Sequence, residues 1–227
     1  MTRASRAGQE DLFESGPSRA VGREQLAFGA FVLRAFALDE ALALLDAIQA
    51  VARPAPFRHM TTARGLRMSV AMTNSGDAGW LSDHSGYRYD AIDPETRQPW
   101  PAMPGVFAHL AQRAASAAGF EGFAPDACLI NRYEPGTRLT LHQDRDEQDF
   151  AAPIVSVSLG VPATFLWGGE TRAVRPRRVR LDHGDVVVWG GPARLNFHGI
   201  DTLHEADHAL TGSARFNLTF RRALLKR

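Results

Sequence analysis

The chain has 227 residues, 44% hydrophobic and 22% charged, which makes one large domain or two small ones with a sizeable core. Its formal net charge is +1, so no global basic signature marks a nucleic-acid binder, and such binding must use a local patch. Cys128 is the single cysteine, which excludes an internal disulfide and multi-cysteine zinc sites and suits a reducing compartment.

Residues 1–23 are polar, rich in Gly, Ser and charge, and read as a flexible N-terminal leader. They lack the apolar core of a signal peptide, and no apolar run is long enough to span a membrane. The expectation is therefore a cytoplasmic protein with no membrane partner. A short apolar run over Phe28–Leu33 predicts a strand. Asp39 can cap a helix with Leu42, Leu45 and Ile48 on its core face, ended by Pro54 and Pro56. Arg67–Thr73 reads as a strand, and Gly79–Tyr89 as an irregular hairpin carrying Trp80 and Tyr87. A proline-rich connection over Asp93–Pro104 leads to a second amphipathic helix, Val106–Ala118, ending at Gly119. His109 is placed there as a helix-face residue.

From Ala127 onward the pattern turns to strands: Ala127–Tyr133, Ile154–Leu159, Thr164–Trp167, Arg178–Leu181, Val186–Trp189 and Phe216–Phe220. Turn signals separate them, at Trp167–Glu170 and Asp182–Asp185. Helices first and many short strands after give an α+β class. There is no internal repeat.

His142-Gln143-Asp144, followed far downstream by His198, carries the chemistry. Two imidazoles and one carboxylate on an open face hold Fe(II) and leave coordination positions for substrate and oxygen. In an extended strand residues i and i+2 point to one side, so His142 and Asp144 can reach one metal. His198 must arrive from another strand or loop. A lone H-x-D is weak, because a chain with eight histidines shows it by chance. Arg215 and Arg221 are six apart in a strand pattern and share a face. A dicarboxylate calls for such planar cations, since guanidinium grips carboxylate with paired hydrogen bonds. Phe216, Leu218 and Phe220 alternate against Arg215, Asn217, Thr219 and Arg221. That polar face is either solvent or the interior of a site.

Taken in order, Asn131-Arg132-Tyr133-Glu134-Pro135-Gly136, His142-Gln143-Asp144, His198 and Arg215-Phe216-Asn217-Leu218-Thr219-Phe220-Arg221 resemble the AlkB family of Fe(II)/2-oxoglutarate-dependent nucleic-acid dealkylases. The resemblance runs from about Asp11 to Arg221. It implies a double-stranded β-helix, or jelly-roll, core over about residues 126–222 with N-terminal helices. It also implies a nucleotide-recognition region with its hairpin at about 57–104, all in one domain spanning 24–227.

The metal and catalytic residues are then His142, Asp144 and His198. By the same resemblance Arg215 binds the distal carboxylate of 2-oxoglutarate, with Tyr133 and Asn217 nearby. Asn131 and Arg221 serve its iron-chelating end, and Arg221 also orients Asp144. Trp80, Tyr87 and Asp146 read the substrate: Trp80 and the His142 ring are stacking plates, and Asp146 accepts from an exocyclic amine or faces a cationic base. A damaged base must leave the stack before it can be worked on.

The activity implied is oxidative demethylation of N1-methyladenine and N3-methylcytosine. It is coupled to conversion of 2-oxoglutarate and O2 to succinate and CO2, with release of formaldehyde. The partner is alkylated single- or double-stranded DNA, with RNA left open, and the protein is a monomer. Two alternatives stand beside this reading. One is a related dioxygenase acting on tRNA, protein or a small molecule; the other is a nucleic-acid binder with a dead iron site. The basic run Arg172, Arg175, Arg177, Arg178 and Arg180 is either a phosphate contact or a solvated strand face. Trp189 lines a cavity or packs in the core, His183 sits in a turn, and Cys128 is buried and inert.

Overall fold

The computed structural model describes residues 22–225. Most of the leader expected at 1–23 therefore lies outside the described residues. Its last two residues, Gly22 and Arg23, already belong to a strand.

Among the described residues, thirteen strands and two α-helices form two antiparallel sheets and a separate two-stranded hairpin, with the helices on one outer face, which is the α+β jelly roll. The strands are β1 (Gly22–Ala27), β2 (Ala30–Arg34), β3 (Ala71–Gly76), β4 (Gly79–Asp83), β5 (Gly86–Asp90), β6 (Ala127–Tyr133), β7 (Leu139–His142), β8 (Ile154–Gly160), β9 (Ala163–Trp167), β10 (Arg177–Leu181), β11 (Val186–Trp189), β12 (His198–Ile200) and β13 (Arg215–Arg221). The helices are α1 (Ala41–Ala52) and α2 (Gly105–Ala117). The large sheet runs β1-β2-β11-β8-β13-β6-β3, the small one β10-β9-β12-β7, and β4-β5 form a separate hairpin.

Side-chain alternation in the large sheet makes two layers. One face gives Cys128, Ile130, Val155, Val157, Leu159, Val186, Val188, Phe216, Leu218 and Phe220 to a core shared with Leu44, Ile48, Phe107 and Leu110 of the helices. The other face turns Leu129, Tyr133, Ile154, Val187 and Trp189 toward Phe165, Trp167, Val179 and Ile200 of the small sheet. Each large apolar side chain buried this way contributes about 1.5–3 kcal/mol. In β13 and β8 the inward face is polar: Arg215, Asn217, Thr219, Arg221, Ser156 and Ser158 are all buried between the sheets. The open question about the β13 face is thus resolved as an interior.

Several local expectations are corrected. Asp39 does not cap α1. Leu38–Glu40 forms a short 3-10 turn, and Glu40 precedes α1 with no side-chain cap hydrogen bond. The buried stripe of α1 is Ala41, Leu44, Ile48 and Val51, whereas Leu42 is 63% exposed. The strand expected at Arg67–Thr73 is β3, which begins four residues later, at Ala71, and ends at Gly76. Thr73, Asn74 and Ser75 look like turn residues, but pairing with β6 and cover from the hairpin bury them. The hairpin is regular rather than irregular, with Asp83 accepting from the Ser85 N–H across the turn. Three short strands, β1, β7 and β12, were not foreseen.

Candidate functional site

A cavity of about 830 Å³ opens between the two sheets, and the hairpin forms part of its wall. His142 is the last residue of β7 and His198 the first of β12, and they pair directly across the ladder. Their ring centres are 4.4 Å apart. Asp144 stands two residues past the end of β7, outside the strand where the spacing argument put it. It nevertheless reaches the same point: its Oδ1 lies 3.6 Å from His142 Nε2 and its Oδ2 3.8 Å from His198 Nε2.

The ligand atoms of the three residues all lie within 4.8 Å of one another. A cation with bonds of about 2.0–2.2 Å spans ligand pairs of up to about 4.4 Å, so both measured pairs fit. Each imidazole is oriented from behind, with His142 Nδ1 2.9 Å from the Thr140 carbonyl and His198 Nδ1 3.0 Å from that of Asn196. Such bonds fix the tautomer and leave Nε2 free as a ligand. Burial, with His142 beside it, pushes the His198 imidazole down to about 3. It is therefore neutral near pH 7, as a metal ligand must be. Burial opposes the charged form of Asp144, but Arg221, His198 and His142 outweigh it and hold the carboxyl well below the usual range.

The inward face of β13 meets β6 and β8 in register, with Arg215 opposite Tyr133 and Asn217 opposite Asn131 and Ser158. Asn131 Nδ2 donates to Asn217 Oδ1 at 3.1 Å, and Asn217 Nδ2 donates to Ser156 Oγ at 2.8 Å. Arg221 clamps Asp144 Oδ2 through Nε at 2.8 Å and Nη2 at 2.7 Å. Asn131, Tyr133, Asn217 and Arg221 line the cavity. Arg215 does not. It is 1% exposed, its guanidinium carbon standing 5.0 Å from the Tyr133 ring centre. Nη2 donates to Ser158 Oγ at 3.0 Å, while Nε and Nη1 have no partner.

A guanidinium buried with two idle donors costs several kcal/mol unless an anion joins it. The buried Oδ1 of Asn131 and the indole N–H of Trp189, both at the cavity, are also unpartnered. These idle groups fit a carboxylate cosubstrate, and the His-His-Asp set fits Fe(II). Trp189 turns out to be both core and cavity wall, with its ring 4.8 Å from that of His198.

Trp80, Tyr87 and Asp146 come together at the mouth. Trp80 and Tyr87 stack at 5.5 Å with planes 19° apart, and Trp80 Nε1 donates to Asp146 Oδ2 at 2.8 Å. The Trp80 backbone is held at both ends by Asn74, which accepts from its N–H at 3.0 Å and donates to its carbonyl at 3.1 Å. Gly79 permits this close seat, since a Cβ there would stand 2.4 Å from Trp100. Tyr87 is 53% exposed and Trp80 only partly buried.

The basic run is largely neutralised: Arg177 pairs with Glu24, Arg178 with Asp201 and Arg180 with Asp182. Only Arg172 of that run lines the cavity. It is joined there by Arg67, Arg138 and Arg145, all exposed. No carboxylate among the described residues pairs with these four. Cys128 is buried and its thiol is pushed up by that burial. His109 is an exposed helix-face residue. His183 sits in the turn before β11 and accepts from the Gly160 N–H at 2.9 Å.

Sequence reasoning missed Ser156, Ser158, Tyr89, Glu147 and Arg194. The serines had a signal, since they interrupt the apolar run Ile154-Val155-Ser156-Val157-Ser158 at two successive inward positions of a buried strand. Glu147 and Arg194 had none.

Comparison with known proteins agrees with this geometry. Residues 29–221 match the model of the 2OG-Fe(II) oxygenase superfamily. The chain is 57% identical over 201 residues to the alpha-ketoglutarate-dependent dioxygenase AlkB of Escherichia coli (strain K12), covering 88% of this chain and 93% of that protein. An AlkB homolog of Caulobacter vibrioides is 47% identical, over 80% of this chain and 81% of that one. The solved structure of OsALKBH1 superposes with a TM-score of 0.79 at 28% identity, over 88% of this chain and all of that one. The chain belongs to the 2OG-Fe(II) oxygenase superfamily, and within it to the AlkB alpha-ketoglutarate-dependent dioxygenases.

Proposed function

We propose that this dioxygenase oxidatively demethylates alkylated bases such as N1-methyladenine and N3-methylcytosine in DNA, as a cytoplasmic monomer. The observation that carries the reading is a shared cavity. His142, Asp144 and His198, with their ligand atoms gathered within 4.8 Å of one another, line it together with the Trp80–Tyr87 stack and Asp146. His142, Asp144 and His198 would hold Fe(II). Asn131, Tyr133, Arg215, Asn217 and Arg221 would hold 2-oxoglutarate. Bound there, iron, 2-oxoglutarate and O2 supply the oxidation, the cosubstrate leaving as succinate and CO2 and the methyl carbon as formaldehyde.

The protein's own groups do the rest. Residues 57–104, with the hairpin, receive a base turned out of its stack, and 126–222 form the catalytic core. Trp80 and the His142 ring offer π faces worth about 1–3 kcal/mol per base. Asp146 Oδ1 stays free for an exocyclic amine while Oδ2 holds Trp80. Arg67, Arg138, Arg145 and Arg172 give the rim positive charge for the phosphates flanking that base. The test is product analysis on methylated oligonucleotides with iron and 2-oxoglutarate. Formaldehyde and restored bases in equal amounts are expected. Decarboxylation without any base restored would move the substrate to another class.

Trp80→Ala should lower affinity for methylated oligonucleotide by about ten- to a hundredfold. Cosubstrate decarboxylation without nucleic acid should persist. Stability should fall by less than the roughly 3–5 kcal/mol of an enclosed aromatic, because the ring is only partly buried. Trp80→Phe keeps the plate and loses only the bond to Asp146, so its affinity should stay close to that of the unaltered protein. A large drop in melting temperature with affinity unchanged would return Trp80 to a purely structural role.

Asp146→Ala removes an acceptor and frees the Trp80 ring. Rates on cationic lesions should fall more than rates on neutral ones. If the ratio between lesions is unmoved, Asp146 merely seats Trp80.

A further inference from the structure

Behind Asp144 lies a buried cluster of charges that the reaction does not by itself require. Glu147 is 5% exposed and faces three partners. Arg194 Nη2 donates to its Oε2 at 3.0 Å. Arg221 Nε is 3.2 Å from its Oε1, and the same Nε bonds Asp144 at 2.8 Å. The Tyr89 hydroxyl donates to Oε1 at 2.8 Å. Arg194 also donates through Nη1 to the Asp144 backbone carbonyl at 2.9 Å. Two carboxylates and two guanidiniums therefore balance, and both the side chain and the backbone of Asp144 are tied to cations that Glu147 holds.

The geometry has two consequences. Arg221 occupies Asp144 Oδ2, which leaves Oδ1 on the His142 side. A guanidinium held only by Asp144 could swing with it; gripped also by Glu147, it fixes the carboxylate's plane. The third partner comes from elsewhere in the fold. Tyr89 belongs to β5 and sits directly opposite Trp80 of β4, so both side chains leave the hairpin on one face. The contact of Tyr89 with Glu147 is thus a tie between the hairpin at the cavity mouth and the cluster that orients Asp144.

We propose that Glu147 is a positioning residue which, through Tyr89, couples the seating of the substrate-facing hairpin to the metal carboxylate. The inference rests on the reading of His142, Asp144 and His198 as metal ligands. Coupling between sites is reciprocal. A metal that settles Asp144 should also settle the hairpin, and loosening the hairpin should weaken the metal. Removing outer partners of metal ligands typically costs 10- to 100-fold in affinity.

The test uses the full chain and Co(II) alone, without nucleic acid. Affinity is measured by titration, ligand geometry by the visible absorption of bound Co(II), and hairpin seating by amide hydrogen exchange over residues 79–90. In the unaltered protein Co(II) should slow exchange there. Glu147→Gln should weaken Co(II) binding by about 10- to 100-fold and alter the absorption band. Tyr89→Phe removes a single hydroxyl. It should stay folded, abolish the Co(II)-dependent slowing and weaken Co(II) binding severalfold.

Unchanged affinity and spectrum in Glu147→Gln would overturn the positioning role. Slowing that is absent in the unaltered protein, or intact in Tyr89→Phe, would overturn the coupling. If Glu147→Gln fails to fold, Tyr89→Phe decides alone. His142→Ala keeps the two failures apart, since Co(II) binding that survives it would sink the ligand reading instead.

Discussion

His142→Ala and Asp144→Ala should both abolish turnover, and they should differ in what else they lose. Each removes one of three donors, so iron affinity should fall by at least a hundredfold in either variant. His142 is half-buried at the end of a short strand, and its Nδ1 bonds a nearby carbonyl. Its loss should cost about 1 kcal/mol of stability, in the range of one neutral hydrogen bond.

Asp144 is different. Its carboxylate answers Arg221 through two contacts at 2.7 and 2.8 Å, with both side chains buried. Breaking a buried pair by removing one partner costs roughly 3–5 kcal/mol. Glu147 still holds Arg221 at 3.2 Å, so the expected loss lies at the lower end. Chemical denaturation of both metal-free variants checks the difference. Equal stability losses would show that the Arg221–Asp144 pair contributes little, and wild-type iron affinity in either variant would refute the ligand assignment.

How much of this could be read from the chain depends on the kind of signal. The β13 residues were legible because period-2 alternation is short-range and apolar: Phe216, Leu218 and Phe220 had to share one face. That argument put Arg215 and Arg221 together without saying whether their face was wet. Burial of the face depends on Ser156, Ser158, Asn131 and Tyr133 from strands 60 to 90 residues away, and periodicity carries no information at that range.

β7 and β12 went unread because strands of four and three residues hold too few alternations to count. His142 and His198 were instead found by residue type and order. The Asp39 cap failed for a local reason, since a 3-10 turn intervenes before α1 begins. Glu147 and Arg194 lie in polar loop segments that look solvated. Only the tertiary fold buries them, and a buried ion pair has no signature along the chain.

Arg215→Met should raise the 2-oxoglutarate requirement at least tenfold while leaving the metal-free, cosubstrate-free protein as stable as before or more so. The reasoning turns on the two idle donors of Arg215. In the unliganded protein its guanidinium meets only neutral groups, the side chains of Ser158 and Tyr133. Burial lowers its pKa from the ordinary value, which is the mark of a charge whose desolvation has not been offset. Replacing a poorly paired buried charge by an apolar side chain of similar size is often neutral or stabilising.

A carboxylate arriving at Nε or Nη1 would supply the missing partner, with a charge-assisted bond worth about 1.5–3 kcal/mol. That is roughly a ten- to hundredfold change in affinity. Arg215→Lys keeps the charge without the planar donors and should fall between the two. Melting temperature read with and without 2-oxoglutarate, in the presence of Mn(II) to prevent turnover, separates the contributions. The unaltered protein should gain stability on addition and Arg215→Met should not. A large destabilisation of the unliganded Arg215→Met protein, together with an undiminished gain from 2-oxoglutarate, would make Arg215 a structural strut and move the cosubstrate's far carboxylate elsewhere in the cavity.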